Sequence, residues 1–231
     1  MPALTLLFDL PVQVAVGTSL VGVISTSAGV AAVAPRGRGG DVGLALRIAM
    51  ATAAGAIAGG LLAGRVGARF LSIFFAAVVF LTAGYMLERS LRGPRRRAGP
   101  ESLFGQDYRP RRWSIGLTTA TLAGMISGLL GVGGGFINVP VMYAVMEIPL
   151  GIATATSNFV VGITAAASAF VYYGRGDIHP LVVIPTAAGV FVGAMIGVYL
   201  LPRLRVAWLR LALIALLAFM GVQMLLKGLA S

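Results

Sequence analysis

Long apolar stretches, separated by short turns carrying glycine, proline or arginine, run the length of the chain. A helix needs about 20 apolar residues to cross a bilayer. The pattern predicts such spans at 12–34, 42–64, 68–88, 113–131, 151–173, 180–201 and 206–226. A further apolar stretch, 136–147, is short for a crossing and reads as a half-helix or a strongly tilted span. Inside lipid each peptide group must find its partner within the protein, so these stretches are read as helices. The expected fold is an all-α polytopic membrane protein.

Between the fourth span and the short one lies Gly128-Leu129-Leu130-Gly131-Val132-Gly133-Gly134-Gly135-Phe136-Ile137-Asn138-Val139-Pro140. Glycine exposes backbone amides and turns where other residues strain. At membrane depth a run of this kind is tolerated only where protein or a water-filled cavity satisfies it. It therefore predicts a glycine-rich helix break that faces a ligand.

Composition agrees with the spans. Of 231 residues, 58% are hydrophobic and 11% charged, against about 25% charged in soluble domains. The net charge of +11 raises nucleic-acid binding, but the charges fall in short loops between apolar spans, where the positive-inside bias accounts for them. No nucleic-acid partner is expected. Cysteine is absent, which removes disulfides and thiolate metal sites. The N-terminus has no basic region of the kind that opens a signal peptide.

The chain also resembles itself. Leu10-Pro11, Ala15, Thr18 and Ser19 recur as Ile148-Pro149, Ala153, Thr156 and Ser157, an offset of 138. Gly37-Arg38-Gly39 with Asp41 recurs as Gly174-Arg175-Gly176-Asp177, and Thr52-Ala53-Ala54-Gly55 as Thr186-Ala187-Ala188-Gly189. Two homologous helical repeats are expected, 1–88 and 113–231, joined by a basic cytoplasmic linker at 89–112. At this offset Pro2 falls on Pro140, so the first repeat lacks a counterpart to the span and break at 113–138. The expectation is that the first repeat is N-terminally incomplete and that the natural chain holds a second glycine-rich break upstream. With the linker inside and every span crossing, 14 Lys and Arg lie inside and 4 outside; with the short span not crossing, 13 and 5. The first arrangement makes the repeats inverted, the architecture of secondary transporters.

Polar residues at membrane depth form three groups: Asn138 with the break, Thr156, Ser157 and Asn158 with Thr154, and the first-half hydroxyls Thr18 and Ser19. Isolated hydroxyls of this kind usually bond back to helix carbonyls. Gathered beside a glycine break, they read as a site lining. Free amides at a restarting helix carry partial positive charge, so the backbone of Gly131, Gly133, Gly134, Gly135 and Phe136 suits a small anionic substrate. Acidic residues lie near span ends, leaving little for a carboxylate proton relay. Glycines spaced by four, such as Gly55–Gly59 and Gly124–Gly128, read as helix-packing seams. His179 and the aromatics near span ends, Tyr172 among them, read as interfacial. No carboxylate pair, metal cluster or nucleophile–base set is present, so neither an enzyme nor a cofactor or metal site is expected.

The run Gly128-Leu129-Leu130-Gly131-Val132-Gly133-Gly134-Gly135-Phe136, with Val139-Pro140, Pro149, Ala153 and Thr156-Ser157-Asn158, resembles the TauE/SafE-type sulfite exporter family. Pro11, Ala15, Val16, Gly17, Thr18 and Ser19 continue the likeness in the first half. The resemblance implies a duplicated inner-membrane permease moving sulfite, sulfoacetate or a related organosulfur oxyanion. The competing reading is a non-transporting membrane scaffold or partner subunit. A homo-oligomer fits either.

Overall fold

The structure, a computed structural model, describes residues 4–5, 10–33, 42–91, 113–131, 138–139, 142, 146–148, 150–200, 203 and 206–230. Seven long helices carry the fold: α1 (Val12–Val33), α2 (Val42–Ala63), α3 (Ala68–Leu91), α4 (Trp113–Leu130), α5 (Leu150–Gly174), α6 (Pro180–Leu200) and α7 (Val206–Ala230). Among the described residues there is no strand. Five helices, α1, α2, α4, α5 and α6, are long and apolar enough to cross a membrane; α3 and α7 hold shorter apolar stretches, Arg69–Gly84 and Ala215–Leu226.

Local chemistry sets the helix limits. Proline, whose fixed φ suits a first turn, opens α6. Gly131 (φ 69°) and Gly176 (φ 78°) follow α4 and α5 in the left-handed conformation that ends helices. Helix α3 runs to Leu91, into the stretch read as linker, because Gly93-Pro94 is the first strong breaker after it. Mid-helix threonines bond back to the preceding turn, as Thr26 does to the Gly22 carbonyl (3.0 Å) and Thr186 to that of Val182 (2.7 Å).

Glycine governs the tightest packing. Gly124 and Gly128 of α4 abut the Thr52 and Ala56 carbonyls of α2, and Gly55 and Gly59 abut those of Thr121 and Met125. Any Cβ there would overlap backbone, and lipid offers no hydrophobic drive to pair helices, so close contact supplies the attraction. The same pairs show α2 and α4 running parallel. Thr164 donates to Thr52 (2.8 Å), and Gly60 lies against Val171 and Tyr172, so α5 runs with them. Helix α1 runs the opposite way: Gly17 meets Asp177 just beyond α5, and Ser27 donates to the Asn158 carbonyl (2.6 Å) near its start.

Helix α6 lies along α1, with Gly22 against Val190 and Gly29 against Phe191 and Ala194. Helix α3 packs on α7, with Phe80 against Gly221. Of α6, only Val183 is buried among the described residues. Around the positions where Gly189, Gly193 and Gly197 would carry a Cβ there is no atom within 4 Å.

Most of the short stretch 136–147 lies outside the described residues, but Gly131 before it and Met146 at its end are placed. Gly131 lies against Val16 and Ser19, at the end where α2, α4 and α5 terminate, whereas Met146 packs on Gly116 near the start of α4. Gly131 and Met146 therefore sit at opposite ends of α4, about 22 Å apart along its axis at 1.5 Å per residue.

Candidate functional site

Helix α4 stops inside the protein. Its last turn closes with the Gly131 amide on the Ser127 carbonyl (2.8 Å), and Gly131 itself is buried. The last carbonyls of a helix have no partner of their own. Here one is met across the bundle: the Ser19 hydroxyl is shared between the Val16 carbonyl of its own helix (2.9 Å) and the Gly131 carbonyl (3.0 Å). A side chain at 131 would strike Ser19 and Val16, so close approach and positive φ both require glycine. Gly133, Gly134, Gly135 and Phe136 lie outside the described residues. On the far side of the break Asn138 is helical, 2% exposed, and its Nδ2 donor has no partner.

Two hydroxyls near this break are also buried without a hydrogen-bond partner, Thr18 on α1 and Ser127 on α4. Buried polar groups are nearly always satisfied, and one left bare costs about 1–3 kcal/mol. Bare donors on both sides of a broken helix are what a site for a polar guest requires.

The predicted residues separate into two places. Gly131 joins Ser19, with Thr18 next to it in sequence. Thr156 and Ser157 are buried on α5, and Asn158 beside them donates from Nδ2 to the Ser27 carbonyl (3.3 Å). Since Asn158 is level with Ser27, and Thr18 is nine residues earlier on α1, about 14 Å along the axis separates the two groups. Gly131 itself is thus apart from Thr156, Ser157 and Asn158; Gly133, Gly134, Gly135 and Phe136, which the expected lining also includes, lie outside the described residues. Thr156 Oγ1 is itself buried and unpartnered.

Sequence reasoning also passed over Tyr172. Read as an interfacial aromatic, it is fully buried, and its hydroxyl donates to the Gly128 carbonyl (3.1 Å), three residues before the break. Arg175 lies over its ring at 5.0 Å, donates to the Gly60 carbonyl (2.9 Å) and pairs with Asp177 (2.9 Å). The signal available was Gly60, whose missing side chain leaves room for Val171 and the edge of the Tyr172 ring. Among the described residues no group of His, Asp or Glu is placed to hold a metal.

A bundle of apolar helices around one broken helix, with unpaired neutral donors at the break, fits a membrane permease. The model of the sulfite exporter TauE/SafE family matches residues 1–224. The chain belongs to that family. It is also 23% identical, over 230 residues, to the probable membrane transporter protein YunE of Bacillus subtilis (strain 168), covering 96% of this chain and 84% of that protein. No solved structure gives a significant match. The protein is thus a multi-pass membrane transporter of the TauE/SafE type, with a fold class and family that the sequence had indicated.

Proposed function

We propose that this family member is a secondary permease of the inner membrane that moves a small oxyanion, such as sulfite or sulfoacetate, by alternating access. The observation that carries the proposal is the buried end of α4, where Gly131 is held by Ser19, together with the unpaired polar groups of Ser127 one turn before it, Thr18 next to Ser19 in sequence and Asn138 seven residues on. Neutral donors can hold an oxyanion and also release it, while the partial negative charge at the α4 C-terminus leaves part of the attraction to a cation at the mouth of the site.

The packing supports two inverted repeats. Helix α1 touches α5 and α6, and α5 touches α1 and α2; exchanging the halves maps each contact onto another. Helix α1 is also antiparallel to α5, its proposed counterpart. On this reading Gly131 with Thr18–Ser19, and Thr156–Ser157–Asn158 with Ser27, are half-sites on either side of the bilayer centre, exposed in turn. The bare Gly189 and Gly193 of α6 correspond to Gly55 and Gly59, which seat α4. The positive-inside bias sets the 89–112 linker in the cytoplasm.

Purified full-length protein in detergent tests the assignment. Its unfolding temperature should rise with sulfite or sulfoacetate and stay unmoved by matched chloride. A folded sample indifferent to sulfite, sulfate, thiosulfate, sulfoacetate and simple carboxylates refutes the anion reading.

A further inference from the structure

The Gly174-Arg175-Gly176-Asp177 turn is built with more care than a connection needs. The Arg175 guanidinium has three partners: the Gly60 carbonyl near the end of α2, the Tyr172 ring beneath it, and the Asp177 carboxylate. Gly64 of α2 lies against it as well, where a Cβ would meet Cζ at 2.9 Å. Both charged side chains remain partly open to solvent, 25% for Arg175 and 20% for Asp177. The turn is tied down by the Asp177 amide on the Tyr172 carbonyl (3.0 Å) and covers α1 at Gly17.

This turn adjoins the broken helix. Through the Tyr172 hydroxyl the guanidinium is one aromatic ring from the Gly128 carbonyl, and Gly17, under Asp177, is two residues from Ser19. The C-termini of α2, α4 and α5 converge at this end. Their partial negative charge repels an approaching anion. A cation is needed to offset it, and of the arginines at this end Arg65 and Arg69 are exposed, whereas Arg175 reaches inward. Guanidinium offers paired N–H donors matched to carboxylate and oxyanion alike.

We propose that Arg175 is the recognition residue at the outer mouth of the transport site, and that Asp177 is a tethered stand-in for the substrate. In the empty transporter the Asp177 carboxylate occupies the guanidinium. An arriving oxyanion displaces it, takes the Arg175 N–H groups, and passes on to the neutral donors at the break. Rotation of the Asp177 side chain, with its backbone still tied to Tyr172, frees the guanidinium without moving α5. This rests on the anion reading above and assigns it a specificity residue.

The two members of the pair then have opposite effects, which a structural clasp cannot produce. Sulfite is titrated into purified protein at constant ionic strength, with unfolding temperature and intrinsic fluorescence as readouts. Asp177→Asn removes the competitor and should lower the half-saturating sulfite concentration about tenfold, and Arg175→Gln should raise it by about tenfold or more, from one charge-assisted hydrogen bond gained or lost. Arg175→Lys, which keeps the charge but loses the fork, should fall between and serves if Arg175→Gln does not fold. Asp177→Asn and an arginine variant shifting the midpoint in the same direction, or Arg175→Gln binding sulfite as the wild type does, overturns the proposal and leaves the anion reading standing. A folded wild type stabilised by no anion overturns both.

Discussion

A methyl group added on the α2–α4 seam should destabilise the protein, because it meets backbone rather than a side chain. Gly124→Ala adds one methyl where the Thr52 carbonyl already lies, and Gly193→Ala adds the same methyl where nothing stands within 4 Å. Both positions are mid-helix, so both gain the intrinsic advantage of alanine, up to about 1 kcal/mol. Only Gly124 meets a neighbour, and a neighbour of backbone, which cannot rotate aside. Overpacking costs about 1–3 kcal/mol even where side chains can give way, so a net loss of about 1–2 kcal/mol is expected at 124 and a neutral result or small gain at 193. At about 2–4 °C per kcal/mol for a chain of this size, Gly124→Ala should unfold several degrees below wild type. Gly193→Ala should unfold at or slightly above it. Heating detergent-solubilised protein while following intrinsic fluorescence reads this out, since Trp113 opens α4 and is covered by Arg47 at 5.3 Å. Equal shifts for the two variants would show that α4 is not seated on α2 through bare backbone, and the reasoning would fail.

Other substitutions separate stability from binding. Asn138→Leu removes a buried amide donor that has no partner, so the fold should hold or gain up to about 1–3 kcal/mol while anion stabilisation disappears; loss of both together would mark Asn138 as structural. Ser19→Ala deletes the bond to the Gly131 carbonyl and should cost about 1 kcal/mol and weaken sulfite binding, with unchanged binding as the contrary result. Tyr172→Phe loses only the bond to Gly128, about 1 kcal/mol, whereas Tyr172→Ala empties a fully buried site and should cost about 3–5 kcal/mol; comparable unfolding temperatures would contradict the burial.

Seven helices were legible because the bilayer leaves so few choices. An apolar run of the right length must be helical, and Gly131, Gly176 and Pro180 mark where it stops or starts. Less legible was which residues meet across the bundle. By sequence Thr156 is the near neighbour of the break, yet Gly131 bonds Ser19, 112 residues earlier. The cause is geometric: Gly131 lies at the far end of α4, whereas Met146 packs on Gly116 near its start, so α5 begins at the opposite end from Gly131. Tyr172 was misjudged for a related reason. A tyrosine near a span end usually faces the interface, but here Gly60 on α2 admits the ring edge and the Gly128 carbonyl accepts its hydroxyl. Arg175 was visible only as a turn residue, since its partners come from α2 and α5, 115 residues apart at Gly60.

The most direct test of the account is uptake of radiolabelled sulfite by proteoliposomes holding the purified chain, alongside the Asn138→Leu variant. The wild type should accumulate label faster than empty vesicles, saturably and in competition with unlabelled sulfoacetate, and the folded variant should match empty vesicles. Wild-type uptake no faster than empty vesicles, or undiminished uptake by Asn138→Leu, would contradict the claim that the broken helix carries the anion.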